Sequence, residues 1–366
     1  MADRLRVLVA GWLNSPHVEA WAESVVAAGH DVHVAGRVAP RLPELELTVP
    51  THRLHAGAPP PLRGLIMSRE LGQVASRIKP DLVHAHYLAV YGWMAAREGL
   101  RPLICSAWGS DVLGVRGVGR RRSRRALDAS GLVLADSAEL VRESRALASR
   151  NVPIELLRWG LDLDSFSPGD PVAARELLGI PPNGPVVASV RGLSPIYNPE
   201  LLLDAFAEVR KRRPDARLLL KHPQTSLPPA LDATIERLGI ADAVTVLGNV
   251  PFDRLPDVYR AADVVVSIPS SDSSPRSVWE ALACGRPVVV SDLPWAHDEL
   301  ASGGQALLTP LTIDGVAEAV LRVLDDGDLA ASLGAAGRRL AVDELDPVRS
   351  AARIDALYRK VVEEGR

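Results

Sequence analysis

The chain of 366 residues has only two cysteines, Cys105 and Cys284, far apart and outside any CxxC spacing. Such a pair excludes a disulfide scaffold or a cysteine-rich zinc site and fits a reducing compartment. No apolar stretch approaches the ~18 residues that a membrane-spanning helix needs. The net charge of −3 shows no excess that would indicate a nucleic-acid partner. The sequence predicts a soluble cytoplasmic protein that is at most peripheral to a membrane.

Short apolar runs alternate with longer helical patterns along the chain, and the N-terminal run is too short for a signal peptide. The runs are continuous rather than alternating, which is typical of parallel sheets covered by helices on both faces. A polar break with proline and glycine at 160–170 separates two such series. The pattern predicts two doubly wound α/β domains in tandem, residues 1–165 and 166–345. Ligands in such sheets bind beyond the carboxyl ends of the strands, and a cleft between two domains is the natural site.

The segment SSDSSPRSVWEALACGRPVVVSD, residues 270–292, places one carboxylate in a Ser/Pro-rich loop and a second in a predicted helix. The first is Asp272 and the second is Glu280, while Pro275 is well placed to begin the helix. Free N–H groups and the positive dipole end at a helix start favour phosphate. Taken alone, the segment is more simply interpreted as a capped helix with an ordinary solvated acid. Its position at the carboxyl edge of a sheet favours a ligand site.

This segment resembles the signature of the family 4 retaining glycosyltransferases, which have the GT-B fold. That signature is an acid, seven residues, a Glu, and then Ala-x-Ala-x-Gly-x-Pro-Val. The matching residues are Glu280, Ala281, Ala283, Gly285, Pro287 and Val288. The first acid is usually Glu, and here it is Asp272, whose side chain is one methylene shorter. Other segments, including LRVLVAGWLNSPHVEAW, PDLVHAHYLAVYG and WGLDLDSFSP, extend the resemblance over most of the chain, with the weakest cover at 40–75 and in the helices after 310.

The resemblance implies two Rossmann-like domains that face each other across a cleft. The first would bind the acceptor and the second the nucleotide-sugar donor, and a final helix at 346–366 would pack back on the first domain. Glu280 would hold the ribose hydroxyls, and Asp272 would face the donor sugar. The diphosphate would lie against the loop and helix start between them, at Ser274, Pro275, Arg276 and Ser277. Arg276 either adds a cation there or points to solvent.

The resemblance implies positively charged residues at the diphosphate, and this sequence has only some of them at the expected positions. Arg191, in a segment that resembles the family's phosphate-binding loop, can bind phosphate oxygens through two N–H groups. Tyr197 and Asn198 stand where the family has Lys-Gly, so a second cation must come from elsewhere. Lys221 ends a neighbouring predicted strand and is either that cation or an ordinary surface lysine. Gly11 follows the first strand and allows a donor phosphate or an acceptor to approach the backbone closely.

Candidate acceptor-side residues follow two predicted strands of the first domain. His84 and His86 share one face of their strand, because alternate residues do. No third His, Cys or acid lies close in sequence, which argues against a zinc site. By resemblance, His86 contacts the reacting sugar or the acceptor. For His84, the sequence does not distinguish between such a contact and a structural role. Trp108, Ser110 and Asp111 are the other residues that the resemblance places towards the acceptor.

The run from Arg116 to Arg125 contains six arginines. It is either a solvated loop and helix start, or a patch for an anionic acceptor or acidic lipid headgroups. Near an anionic membrane surface each such cation contributes ~1 kcal/mol, so peripheral contact with the inner face of the membrane is a second predicted location.

Two acidic stretches, DLD at 162–164 and DDGD at 325–328, match a linker and a turn. The resemblance implies neither a metal nor a cofactor.

The implied activity is transfer of a sugar from a nucleoside-diphosphate sugar to a hydroxyl group of a sugar, lipid-linked or small-molecule acceptor. The product would belong to glycan, glycolipid or glycosylated-metabolite biosynthesis. Retention would follow from same-face attack, in which the leaving phosphate takes the proton. His86, Asp272 and Arg191 are the predicted catalytic residues, and Asp272 is not assigned as a covalent nucleophile. Two alternatives stay open: a sugar-nucleotide epimerase or hydrolase of the same fold, and a non-catalytic sugar-nucleotide-binding protein.

Overall fold

The computed structural model divides the chain into two units. Unit 1 comprises Met1–Gly160 together with Pro347–Arg366, and unit 2 comprises Leu161–Asp346. The structure describes residues 4–39, 46–55, 60–222, 227–301 and 304–365. The first and last residues of the predicted domains, 1–3 and 366, lie outside those ranges. Within them, no helix is both long enough and apolar enough to cross a lipid bilayer.

Each unit is built around one parallel sheet. In the described ranges the strands are β1 Arg6–Ala10, β2 Asp31–Gly36, β3 Thr51–Arg53, β4 Leu82–His86, β5 Leu103–Ser106, β6 Leu132–Ala135, β7 Ile154–Leu156, β8 Val186–Ser189, β9 Arg217–Lys221, β10 Val244–Leu247, β11 Val264–Ser267, β12 Val288–Ser291 and β13 Leu307–Thr309. Hydrogen-bonded neighbours follow the order β3-β2-β1-β4-β5-β6-β7 in unit 1 and β10-β9-β8-β11-β12-β13 in unit 2. The described pairings are all parallel. The central strands are buried along their length, as their continuous apolar runs predict.

The helices cover both sheets. They are α1 Pro16–Ala27, α2 Pro60–Ile78, α3 Trp93–Arg97, α4 Gly117–Ala129, α5 Ala138–Leu147, α6 Pro171–Leu177, α7 Pro199–Arg212, α8 Pro229–Leu238, α9 Leu255–Arg260, α10 Arg276–Ala283, α11 Pro294–Ala296, α12 Ile313–Asp325, α13 Gly327–Glu344 and α14 Pro347–Glu364. Several of them begin with a side chain that accepts a hydrogen bond from the first turn, among them Ser137, Asp170, Thr312 and Asp326. Such caps satisfy N–H groups that have no partner within the helix, and they explain where these helices begin.

The last helix, α14, follows unit 2 in sequence but packs within unit 1. Its buried face includes Ile354, Leu357 and Tyr358, which join the apolar cluster between α1 and the sheet. The Tyr358 hydroxyl accepts a hydrogen bond from Trp21 Nε1 at 2.7 Å. Asp355 Oδ1 lies 2.9 Å from His30 Nε2. Apolar burial, a buried hydrogen bond and a partly buried polar contact therefore hold α14 on unit 1.

In each sheet the strand order reverses beside a central strand, between β1 and β4 in unit 1 and between β8 and β11 in unit 2. At such a point the connections leave in opposite directions, so a crevice opens at the carboxyl ends where ligands bind. Gly11 directly follows β1, and His86 ends β4. Arg191 follows β8, and Asp272 lies in the loop after β11. The fold therefore places the predicted site residues at two crevices, one in each unit.

Candidate functional site

The signature segment, residues 270–292, forms a loop, the helix α10 and the strand β12. The helix begins after Pro275, whose φ of −65° and missing N–H suit a position just before the first turn. It ends at Ala283, and Gly285 lies just beyond the C-cap with a φ of +68°, in the left-handed region that glycine adopts without strain. A Cβ at Gly285 would also lie 3.2 Å from the Pro168 ring. Proline and glycine therefore set the length of α10 and the position of the acid that it carries.

That acid, Glu280, is buried, with 5% of its surface exposed. Its Oε2 accepts a hydrogen bond from the Tyr259 hydroxyl at 2.6 Å, and Arg276 Nε lies 3.6 Å from its Oε1. Burial raises the pKa of Glu280, whereas the charge of Arg276 and the Tyr259 hydroxyl lower it. Burial also raises the pKa of Tyr259 well above its usual value, so the hydroxyl keeps its proton and is the donor. The carboxyl group is thus held on both oxygens by groups of α9 and α10.

Arg191, in the loop after β8, contacts three other residues. One terminal nitrogen donates to Asp272 Oδ2, and the other donates to Ser277 Oγ at 2.9 Å. The Tyr197 ring lies against the guanidinium group, with 4.6 Å between Arg191 Cζ and the ring centroid. Asp272 Oδ1 also accepts a hydrogen bond from the Ser273 N–H at 2.9 Å. The structure therefore gathers Arg191, Asp272 and Ser277 at the start of α10.

Ser274 has a left-handed backbone conformation, with φ of +45°. Its hydroxyl donates to Glu299 Oε2 at 2.8 Å and accepts from Trp279 Nε1 at 2.8 Å. The hydroxyl has therefore used its only proton, and it could only accept a further hydrogen bond from a ligand. Strained residues of this kind persist where the surroundings hold them, and they cluster at binding sites.

Two further predicted cations lie near Glu280. Arg276 does not extend into solvent, since 16% of its side chain is exposed and Nε faces the Glu280 carboxyl group. Lys221 is half-buried at the end of β9, where burial lowers its pKa and the charge of Glu280 raises it. Both cations are therefore electrostatic neighbours of Glu280. Glu280 is therefore the group through which the structure relates both cations to the site.

Sequence reasoning did not select two tyrosines that complete these contacts. Tyr259, the donor to Glu280, lies in YRAAD, where nothing distinguishes it from an ordinary core tyrosine. Tyr197 stands where the family that the sequence resembles has the lysine of Lys-Gly, and the sequence predicts no role for it. Asn198, its neighbour in that departure, has φ 51° and ψ 48°. Asparagine enters this left-handed region more readily than most residues, so Asn198 can take the backbone conformation of the expected glycine.

In unit 1, His86 is buried, and neither ring nitrogen has a hydrogen-bond partner among the described residues. The ring stacks on His84 at 4.4 Å and meets the edges of Trp21 at 5.3 Å and Trp108 at 5.5 Å, measured between centroids. Burial, and then the nearby His17, lower the pKa of His86 to about 3. The ring is therefore neutral near pH 7, and its two buried nitrogens leave hydrogen-bonding capacity unused among the described residues.

His84 differs, because both of its ring nitrogens have partners. Nδ1 lies 2.7 Å from the Tyr358 hydroxyl, and Nε2 lies 2.8 Å from Ser106 Oγ. The Tyr358 oxygen accepts from Trp21, so its own proton is directed to His84 Nδ1. These contacts give His84 a structural role. No group of three His, Cys, Asp or Glu side chains that could hold a metal ion occurs among the residues that the structure describes.

The three other residues predicted on the acceptor side lie in the loop after β5. Asp111 is fully buried and accepts from the Leu88 N–H at 2.6 Å and the Trp108 N–H at 2.8 Å. Burial raises the pKa of Asp111 to about 6, although these two backbone bonds oppose the rise. Ser110 is exposed, with its hydroxyl 3.2 Å from that of Tyr87. Asp111 therefore positions Trp108, while Ser110 and the half-buried Trp108 ring stay accessible.

Gly11 has a packing reason to be glycine. A Cβ at this position would lie 2.7 Å from Val18 Cγ2, so a side chain would push α1 away from β1. At the neighbouring Gly36, a Cβ would lie 1.6 Å from the Gly11 carbonyl oxygen. The predicted close approach of a ligand to Gly11 stays a prediction beside this structural requirement.

The arginine run lies at the start of α4 and along it. Arg122 is half-buried, and its guanidinium group lies 4.2 Å from the ring centroid of Trp93. The exposed members are Arg116, Arg120, Arg121, Arg124 and Arg125. Val118, on the same helix, is 62% exposed. The run is therefore a solvent-facing positive surface, with one arginine used to pack α4 on α3.

The class of protein follows from comparison with solved structures. A sucrose-phosphate synthase from Thermosynechococcus elongatus matches with a TM-score of 0.85 and 21% identity, over 99% of this chain and 100% of that chain. The Anabaena protein HepE, solved in complex with UDP-glucose, matches with a TM-score of 0.81 and 19% identity, over 98% and 100%. These likenesses show the fold alone. They confirm the predicted GT-B fold of two doubly wound parallel-sheet units.

The family follows from sequence comparison. The family described as "Glycosyl transferases group 1" matches residues 173–340, and "Glycosyl transferase 4-like" matches residues 6–129. The chain belongs to the group 1, or family 4, glycosyltransferases, which confirms the resemblance of the signature segment.

Curated relatives are similar over part of their length. A D-inositol 3-phosphate glycosyltransferase of Segniliparus rotundus is 35% identical over 244 residues, which are 61% of this chain. D-inositol 3-phosphate glycosyltransferase 2 of Catenulispora acidiphila is 34% identical over 285 residues, 68% of this chain. The matches span 54% and 65% of these two relatives.

Proposed function

We propose that the chain is a glycosyltransferase that moves a sugar from a nucleoside-diphosphate sugar to an acceptor hydroxyl and retains the anomeric configuration. The observation that carries this proposal is the group of Arg191, Ser277 and Asp272 at the start of α10, beside the buried Glu280. This group lies at the carboxyl edge of the unit 2 sheet, where doubly wound sheets bind ligands. Membership of the family and the names of the relatives support the same activity.

Unit 2 is the proposed donor-binding domain, in which Glu280 holds the ribose hydroxyls and Asp272 faces the donor sugar. The leaving diphosphate gains negative charge as the glycosidic bond breaks. Arg191 and the positive dipole end at the start of α10 would stabilise that charge without a metal ion, because both are in position before the reaction. Lys221 and Arg276 add positive charge beside Glu280, at the nucleoside end of the donor.

Unit 1 is the proposed acceptor-binding domain, with His86 as the contact to the reacting sugar. Because the pKa of His86 is about 3, its ring is a neutral hydrogen-bonding partner rather than a proton donor. This property agrees with same-face attack, in which the leaving phosphate takes the acceptor proton. Trp108, which lies against His86, would offer its ring to the acceptor, and Asp111 holds Trp108 in place.

The acceptor is proposed as a small polyol that carries a phosphate, because the relatives are named for D-inositol 3-phosphate. The exposed arginines from Arg116 to Arg125 would suit such an anion. They also support a cytoplasmic location with peripheral contact to an anionic lipid surface.

Donor binding is tested by thermal shift with UDP-, GDP-, ADP- and TDP-sugars. A ligand at 100 times its Kd stabilises the folded protein by about 2.7 kcal/mol, so one nucleotide should raise the melting temperature clearly. Glu280→Gln should lose most of that shift, because the amide is a weaker acceptor for ribose hydroxyls. If no member of the panel shifts the wild-type protein, the proposed function is wrong.

Turnover is tested with the donor that binds, alone and with D-inositol 3-phosphate or other acceptors. A product with retained configuration, seen by NMR only when acceptor is present, supports the transferase. Free sugar or epimerised donor without an acceptor indicates a hydrolase or epimerase. Donor binding without turnover indicates a binding protein. The rate should be unchanged after treatment with EDTA, because the proposed charge stabilisation uses no metal.

A further inference from the structure

The family's diphosphate site has a lysine that this chain replaces with Tyr197, so one positive charge expected beside Arg191 is missing. The structure shows what the tyrosine does there. Arg191 Cζ lies over its ring, 4.6 Å from the ring centroid, which is within the range of a cation–π attraction. Hydrogen bonds to Asp272 and Ser277 hold the edge of the guanidinium group, whereas the Tyr197 ring holds its face. Arg191 Nε has no hydrogen-bond partner among the described residues.

The loop that carries Tyr197 is built to bring the ring to this place. A Cβ at Gly192 would lie 3.0 and 3.1 Å from two ring carbons of Tyr197, so glycine leaves room for the ring. Asn198 turns the chain through its left-handed conformation, and its Nδ2 donates to the Ile268 carbonyl oxygen at 2.8 Å. Ser270 N–H donates back to the Ile196 carbonyl oxygen at 2.8 Å. These contacts fasten the loop after β8 to the loop after β11, which precedes α10.

We propose that Tyr197 is a positioning residue that holds the guanidinium group of Arg191 where the diphosphate of the donor binds. The inference rests on the proposed function, since it requires a diphosphate at the start of α10. An arginine side chain has many rotamers in solution, and fixing it beforehand reduces the entropy that binding must overcome. A well-oriented arginine thereby replaces part of what a second cation contributes in relatives. Its effect should be specific for the outer phosphate, because the nucleoside end contacts other residues.

The test compares binding of UDP, GDP, ADP and TDP with binding of their monophosphates, measured by calorimetry. The Kd of the monophosphate divided by the Kd of the diphosphate reports how much affinity the outer phosphate adds. In Tyr197→Leu this ratio should fall about tenfold, which is the size expected from loss of a partly desolvated cation–π contact. Tyr197→Phe keeps the ring face and should keep the ratio. Tyr197 is half-buried, so both variants should fold, and their melting temperatures are measured without ligand.

Three results would overturn the inference and leave the proposed function intact. Tyr197→Leu could retain the wild-type ratio, which would remove the ring from the site. It could weaken mono- and diphosphate equally, which would show a general structural effect. Tyr197→Phe could lose as much as Tyr197→Leu, which would assign the role to the hydroxyl. A wild-type protein that binds none of the eight nucleotides would instead overturn both the proposed function and the inference.

Discussion

The carboxyl group of Glu280 shows how a single side chain depends on residues outside its own helix. Tyr259 donates to one oxygen from α9, and Arg276 faces the other from the first turn of α10. A buried carboxylate needs such partners, because an isolated charge away from water is strongly destabilised. The same partners leave the group in a fixed orientation, which a ligand with two neighbouring hydroxyls can use.

Replacing Tyr259 with Phe should move the pH dependence of nucleotide binding to higher pH. Loss of the hydroxyl removes a group that lowers the pKa of Glu280, while burial continues to raise it. The carboxylate accepts ribose hydroxyls above its pKa and loses this ability as the pH falls through it. Affinity measured from about pH 5 to 9 should therefore decline at a higher pH in the variant than in the wild type.

The other charged groups near Glu280, namely Arg276, Lys221 and Arg191, are present in both proteins. A change in the pH at which affinity declines therefore reports the loss of the Tyr259 hydroxyl alone. Tyr91→Phe, which removes a buried hydroxyl from unit 1, is the matched control and should leave the pH profile unchanged. Identical profiles for Tyr259→Phe and the wild type would contradict the role of Tyr259.

At the level of elements, α14 depends on a small polar network in an apolar surrounding. The Tyr358 hydroxyl lies between Trp21 of α1 and His84 of β4, with both heavy-atom distances at 2.7 Å. Tyr358 is fully buried, so both partners would lose their hydrogen bond without access to water. This network therefore links α14 to unit 1 and holds His84, on which His86 stacks.

Tyr358→Phe should destabilise unit 1 by about 2 kcal/mol, because it leaves two buried polar groups without a partner. The measurement is urea unfolding followed by tryptophan fluorescence and far-UV circular dichroism. Tyr197→Phe, a half-buried tyrosine in unit 2, should change stability by less than about 0.5 kcal/mol and serves as the control. A midpoint for Tyr358→Phe equal to that of the wild type would show that the network does not hold α14.

Over the whole molecule, the formal charge of −3 is small, but the exposed arginines of α4 are concentrated on one helix. Such a concentration favours anionic surfaces even when the total charge does not, because electrostatic attraction acts within about 10 Å at ordinary salt. Vesicle binding therefore tests the proposed peripheral contact independently of catalysis.

The double variant Arg121→Gln and Arg124→Gln should bind phosphatidylglycerol vesicles roughly 30-fold more weakly, at ~1 kcal/mol per cation removed. Arg322→Gln with Arg339→Gln removes two exposed arginines from unit 2 and should leave binding unchanged. Vesicle flotation at low and high salt is the measurement, with phosphatidylcholine vesicles as the neutral surface. Equal binding to both lipids, or no binding by the wild type, would rule out the proposed contact.

Much of the fold could be predicted from local patterns. The segment 275–284 predicts a helix, and the structure has Arg276–Ala283; the apolar run ADVVVSI at 262–268 predicts a strand, and the structure has Val264–Ser267. The segment 252–261 also predicts a helix, but the α-helix of the structure is shorter, because Pro256 fits only the first turn of an α-helix. It consists of a 3₁₀ turn, Phe252–Arg254, followed by Leu255–Arg260. The segment at 40–75, where the resemblance was weakest, contains β3 and most of α2.

The sequence by itself determined the two parallel sheets, the family and the candidate donor segment, because these depend on the order of apolar runs and on one local motif. Only the tertiary structure showed that the ring nitrogens of His84 have partners, since one of these partners, Tyr358, is 274 residues away. It likewise decided that Arg276 faces Glu280 and that Asp111 is buried. Hydrogen-bond partners and burial arise from contacts between distant segments, which the local pattern of residues does not contain.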